Sequence, residues 1–95
     1  MKKQYEIVNH GYDHSQYFQG CGTYGTPFEY VVTGCGMNAK EAYEDAAEQI
    51  ATAGHKIKLP TRPRGINAED KVPAKLAREE MNEIWFYVSI RYNLK

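Results

Sequence analysis

The stretch from Gly34 to Gly54 leaves this chain the least conformational choice. Ala39, Ala42, Tyr43, Ala46, Ala47, Ile50 and Ala51 recur at helical spacing and form one apolar stripe. Asn38 stands where an N-cap is needed, and Glu41 lies three residues on, where it can close a capping box. The pattern predicts a helix from Ala39 to Ala53, with Gly54 as the left-handed residue past its end. Because the stripe is mostly alanine, the helix can lie very close to a sheet. Tyr43 and Ile50 are its only large anchors.

Strand signals surround this helix. Lys3 to His10 reads as a strand with Tyr5 and Ile7 on one face and Glu6 on the other. His10 to Ser15 is a polar connection. Gln16–Gly22 and Phe28–Gly34 read as two strands joined by Thr23-Tyr24-Gly25-Thr26-Pro27, in which Gly25 and Pro27 supply the turn chemistry. His55 to Pro63 reads as an extended loop. Pro73 to Glu83 reads as a second helix, with Leu76, Ala77, Met81 and Ile84 inward and Asn67 or Asp70 as its cap. In the last segment Ile84, Phe86, Val88, Ile90 and Tyr92 alternate with Trp85, Tyr87, Ser89 and Arg91, which predicts a strand buried on one side. The expected fold class is α+β in the order β-β-β-α-(α)-β, an antiparallel-rich sheet with a helix packed on one face. Ninety-five residues make this one domain, 1–95, with a modest core.

A turn centred on Gly25 sets a hairpin register. Gly22 then faces Phe28, Gly20 faces Tyr30 and Phe18 faces Val32. Phe18, Phe28, Tyr30 and Val32 fall on the helix-covered face. Tyr17, Gln19, Cys21, Glu29, Val31 and Thr33 fall on an open face, beside Trp85, Tyr87 and Arg91. The same register puts Cys21 opposite Glu29 and Cys35 opposite Ser15, roughly 20 Å apart by strand rise. A disulfide spans about 7 Å at most. Two free thiols are expected, in agreement with a reducing compartment.

The net charge is zero, with 12 basic and 12 acidic residues, which argues against generic duplex binding. The charges are segregated, however. Lys56, Lys58, Arg62 and Arg64 fall in a stretch without an acid, and Glu41, Glu44, Asp45 and Glu48 in one without a base. Two solvated faces of opposite sign, or a phosphate-facing basic loop, are the readings. No run approaches the roughly 18 apolar residues of a membrane span. Lys2 and Lys3 have no apolar stretch behind them to make a signal peptide. A cytoplasmic protein with no membrane contact is expected.

Three groups of residues are candidates for function. Gly34-Cys35-Gly36-Met37-Asn38 leads from a strand into a helix start, where glycines and free amides suit an anion. His14, Ser15, Gly34, Gly36, Asn38 and the basic residues Lys56, Lys58, Arg62 and Arg64 form a candidate ligand or anion site; the plain alternative is a tight turn. Tyr17, Trp85, Tyr87 and Arg91 form a candidate partner surface on the open sheet face, able to meet a protein, a second copy or single-stranded bases. Eight tyrosines in the chain favour such a surface. His10, Asp13 and His14, or His14 with Cys35, would be the centre of a small enzyme, against which stands their reading as structural or surface residues. No catalytic set, metal site or cofactor is expected. A homodimer is expected, because an uncovered apolar sheet face invites pairing.

Gly36, Asn38, Glu41-Ala42, Ala46 and Ile50, followed by Gly54, Ile57 and Pro60, resemble the HicB-like fold, a truncated ribonuclease-H-like domain. The resemblance covers roughly residues 30 to 63. It implies an antitoxin or regulator that binds a small RNA-cleaving toxin. The runs Tyr5 to Gly11, His14 to Gly20 and Ala39 to Ala46 also look like small proteins carried by phages and mobile elements. That likeness implies a non-catalytic protein that inhibits or sequesters a host defence component, as anti-CRISPR proteins do, by binding a protein, a nucleic acid or a nucleotide.

Overall fold

The computed structural model describes residues 4–67, 69–79 and 83–94. It is α+β: three antiparallel strands in one sheet, with a helix packed on one face. The strands are β1 (Tyr5–His14), β2 (Tyr30–Gly36) and β3 (Ile84–Tyr92); the helices are α1 (Ala39–Thr52) and α2 (Ala74–Glu79). The predicted Lys3 start of the first strand and Met81 of the second helix lie outside the described residues, as does the side chain of Ala77.

The spatial order is β1-β3-β2, so the last strand is central. Tyr5 faces Tyr92 on one side of β3, and Tyr30 faces Tyr92 on the other. The hairpin expected between Gln16–Gly22 and Phe28–Gly34 does not form. Residues 15–29 instead leave the sheet and return across its second face. Gly20 and Gly22 weaken the strand tendency of this segment, whereas β3 is a continuous run of β-branched and aromatic residues broken only by Ser89 and Arg91. The better strand former takes the position that needs both of its hydrogen-bonded edges filled.

The alternation expected for β3 holds, but its one-sided burial does not. Ile84, Phe86, Val88, Ile90 and Tyr92 face α1 and are at most 4 % exposed. On the reverse face Tyr87 and Ser89 are buried as well. β2 keeps the faces expected of it. Tyr30 and Val32 pack against the core beneath α1, and Thr33 turns to the other side, where it meets Ser89.

α1 lies against β2 almost backbone to backbone. A Cβ at Gly34 would collide with the Ala42 carbonyl oxygen and the Ala46 amide nitrogen, and one at Gly36 would sit 2.6 Å from Glu41 Cβ. Ala42 and Ala46 are fully buried in return. Small residues on both partners are thus one geometric requirement. The helix begins as its sequence requires: Asn38 Oδ1 accepts from Glu41 N at 2.8 Å, and Asn38 Nδ2 donates to Glu41 Oε2 at 3.0 Å. It ends before Gly54, whose φ is +81°. Beyond it, His55 Nδ1 meets the Tyr92 hydroxyl at 2.7 Å, and Ile57, Leu59 and Ile66 pack over the core beside α1.

Gly34→Ala drives a methyl into helix backbone, which has no rotamer to yield, and should lower stability by about 3 kcal/mol or more. Gly22→Ala, where an added Cβ meets nothing within 4 Å, should change it by no more than about 0.5 kcal/mol. Urea unfolding of the two variants checks the contrast.

Candidate partner-binding surface

The excursion 15–29 is irregular in backbone yet fixed at several points. It leaves β1 through a turn in which the His14 carbonyl accepts from the amides of Tyr17 and Phe18 at 3.0 and 2.9 Å. Phe18 then lies flat on Tyr87, with ring centroids 3.8 Å apart and planes within 3°. Arg91 Nε donates to the Gly22 carbonyl at 3.0 Å, while its Nη1 sits 3.6 Å from Glu6 Oε2. At the return, Asn93 clamps two backbone groups: its Nδ2 donates to the Pro27 carbonyl, and its Oδ1 accepts from Glu29 N. Phe28, between them, is buried.

Beneath Phe18 a chain of polar side chains crosses the sheet, one from each strand. His10 Nε2 meets Ser89 Oγ at 2.8 Å, and Ser89 Oγ meets Thr33 Oγ1 at 2.7 Å. The buried Ser89 hydroxyl is thereby satisfied. His10 reaches it because β1 bulges there: Asn9 and Gly11 pair with successive residues of β3, and Gly11 takes a φ of +76°.

Between its anchors the excursion presents tyrosines. Thr26 N donates to the Thr23 carbonyl at 3.0 Å and closes a turn with Gly25 at a φ of +75°. Tyr24 stands at its apex and is 101 % exposed; Tyr17 is 66 % exposed. Tyr12, on β1, is exposed too.

The candidate partner residues therefore separate. Tyr17 is presented. Trp85 is half-buried, Tyr87 is buried under Phe18, and Arg91 is engaged with Gly22 and Glu6. The open sheet face on which they were to meet a partner is covered. Phe18 lies on that face and not against the helix. Tyr24 and Asn93, one presented and one a clamp, are not singled out by the sequence. The turn at Gly25 was a signal for Tyr24; nothing local marks Asn93 as a clamp.

The candidate anion set does not converge. Gly34 and Gly36 serve helix packing. The Glu41 amide is taken by Asn38, and the Ala39 amide by the Asp70 carbonyl at 2.7 Å. Asp45 Oδ2 accepts from Cys35 N, which brings a carboxylate to the junction. His14 and Ser15 lie at the same end of the sheet as Gly36 but across β3, roughly 10 Å away by strand spacing. Lys56, Lys58, Arg62 and Arg64 are exposed on the segment after α1, and Arg64 lies beside Tyr5 and Ile7, roughly 20 Å along β1 from His14.

His10, His14 and Cys35 are likewise apart. His10 is held by Ser89, Asp13 Oδ1 accepts from His14 N, and the His14 ring stands edge-on to Tyr17. Cys21 and Cys35 are both free thiols, but Cys35 faces Tyr87 and not Ser15, the partner that the hairpin register requires. Burial pushes the Cys35 thiol up, and Asp45 adds to the effect. Among the described residues no three His, Cys, Asp or Glu side chains are grouped to hold a metal ion. No described helix is long and apolar enough to cross a membrane.

No protein-family model matches the chain, and neither a curated protein nor a solved structure matches it.

Burial holds His10 below its ordinary 6.5, and Arg91 acts in the same direction. The fold therefore favours the neutral ring. Its contribution is complete above pH 6.5 and is lost as the pH falls through the lowered folded value. Stability should fall more steeply below pH 6.5 in the parent chain than in His10→Gln, measured by urea unfolding across a pH series. Asn93→Ala removes both clamp bonds and should cost roughly 1–2 kcal/mol. The Glu29 amide should then exchange faster in hydrogen-exchange measurements, while amides of α1 keep their order of protection.

Proposed function

We propose that this chain is a non-catalytic binding protein of the phage or mobile-element kind, which inhibits or sequesters a host component through the tyrosines of its excursion. The observation that carries this reading is Tyr24, wholly exposed at the apex of a closed turn on a segment pinned to the sheet. A large amphipathic ring on a fixed backbone loses little conformational freedom on binding, which is why tyrosine serves as an anchor in interfaces. Tyr17 lies on the same excursion. Arg91, which bonds the excursion at Gly22, is also paired with Glu6, so it offers little to a polyanion, and a protein suits the surface better.

The separation of His10, His14 and Cys35 supports a binding role over the small-enzyme alternative. The reason for expecting a homodimer, an uncovered apolar sheet face, is removed by the excursion. The HicB-like resemblance at Gly36 to Pro60 names one partner class, a small RNA-cleaving toxin, and a toxin gene adjacent to this one would direct the first binding assay.

A photo-crosslinking residue at position 24, introduced in host cells, identifies the partner. Tyr17→Ser with Tyr24→Ser should weaken binding of that purified partner by at least about tenfold, or 1.4 kcal/mol, with unfolding unchanged. Equal affinity for the double variant would remove the excursion as the binding surface.

A further inference from the structure

The two edges of the sheet are finished differently. On β2 the outward groups include the Thr33 carbonyl and the Cys35 amide. α1 meets both: Gln49 Nε2 donates to the first at 2.8 Å, and Asp45 Oδ2 accepts from the second at 3.1 Å. Side chains placed on alternate groups keep another strand from lying there.

Among the described residues β1 has no such cover over its first half. Asn93 N donates to the Gln4 carbonyl at 2.9 Å, which sets the phase of the ladder. Gln4, Glu6 and Val8 turn their backbone groups toward β3, and Tyr5, Ile7 and Asn9 turn theirs away. Among the described residues nothing bonds the outward amides and carbonyls of Tyr5 and Ile7.

Tyr5 and Ile7 also line a groove of about 470 Å³, whose other side is made by Pro60, Pro63 and Arg64. The far wall is held at both ends. The Tyr43 hydroxyl donates to the Pro60 carbonyl, and Asn9 Nδ2 donates to the Gly65 carbonyl at 2.9 Å. The prolines have no amide hydrogen with which to compete for an incoming chain. Lys56, Lys58, Arg62 and Arg64 are exposed on the same segment, and none forms an ion pair among the described residues. Glu6, which also lines the groove, is answered by Arg91.

We propose that the free edge of β1 at Tyr5–Ile7 takes an extended acidic segment of a partner protein as a fourth strand. The outward groups of Tyr5 and Ile7 recur at roughly 7 Å, the two-residue repeat of a strand. A peptide answers both the amides and the carbonyls, whereas a sugar–phosphate backbone has no N–H to give. A second copy of this chain would bring the same four cations face to face. The basic rim therefore selects an acidic partner, and the ladder selects a peptide. The site is separate from the excursion tyrosines.

The test uses the full chain and a capped peptide of about ten residues that alternates valine and glutamate. Hydrogen exchange should slow at the Tyr5 and Ile7 amides when the peptide is added, and binding should weaken as salt is raised. N-methylation of alternate peptide amides should abolish the protection. Arg62→Glu with Arg64→Glu should weaken binding by at least about tenfold without altering the circular dichroism spectrum. Tyr17→Ser with Tyr24→Ser should leave it intact, which separates this site from the excursion surface. No protection at millimolar peptide overturns the proposal. So does displacement of the peptide by an oligouridine strand, or protection of the same amides through concentration-dependent dimerisation without peptide.

Discussion

β3 must bury both of its faces, and the rest of the molecule is arranged to let it. One face carries Phe86, Val88, Ile90 and Tyr92 against α1. The other carries Tyr87 and Ser89, a ring and a hydroxyl that need different partners. Phe18 supplies a stacked ring for the first, and His10 and Thr33 supply hydrogen bonds for the second. At an edge this strand would have one neighbour, and Ser89 would lose one of its two side-chain partners. In the centre it draws one polar contact from each neighbour and one aromatic contact from above.

Local chemistry was legible in the sequence; neighbour relations were not. The Asn38 cap, the Glu41 partner, the alanine stripe and the Gly54 stop are decided within a few residues, and α1 falls where they place it. The alternation of β3 correctly sorts its residues into two faces. Alternation does not say which strand lies alongside, because a strand's period is the same at an edge and in the centre. The segment Gln16–Gly22 alternates passably, but Gly20 and Gly22 give it little to pack. Its aromatic Phe18 found a better partner across the sheet than along it.

The candidate sites followed from that hairpin and changed with it. His14 and Ser15 were to stand beside Cys35 and Gly36, and the central strand now separates them. Gly34 and Gly36, which as sequence suggest a phosphate cradle, are explained by the approach of Ala42 and Ala46. Glycine between strand and helix marks a close approach of backbone; whether ligand or helix makes that approach depends on what stands opposite. The aromatic richness of the last strand was visible from composition. That Tyr87 would be roofed over, with Tyr24 left outside, depends on the path of residues 15–29.

The placement of β3 also fixes an order of events during synthesis. β1 and β2 emerge from the ribosome first, yet neither is the other's neighbour. Tyr5 and Tyr30 both await Tyr92. Loop closure over such separations slows folding relative to a meander of adjacent hairpins. Until β3 is made, the nascent chain holds two strands with no ladder to join, and α1 has only β2 to lean on.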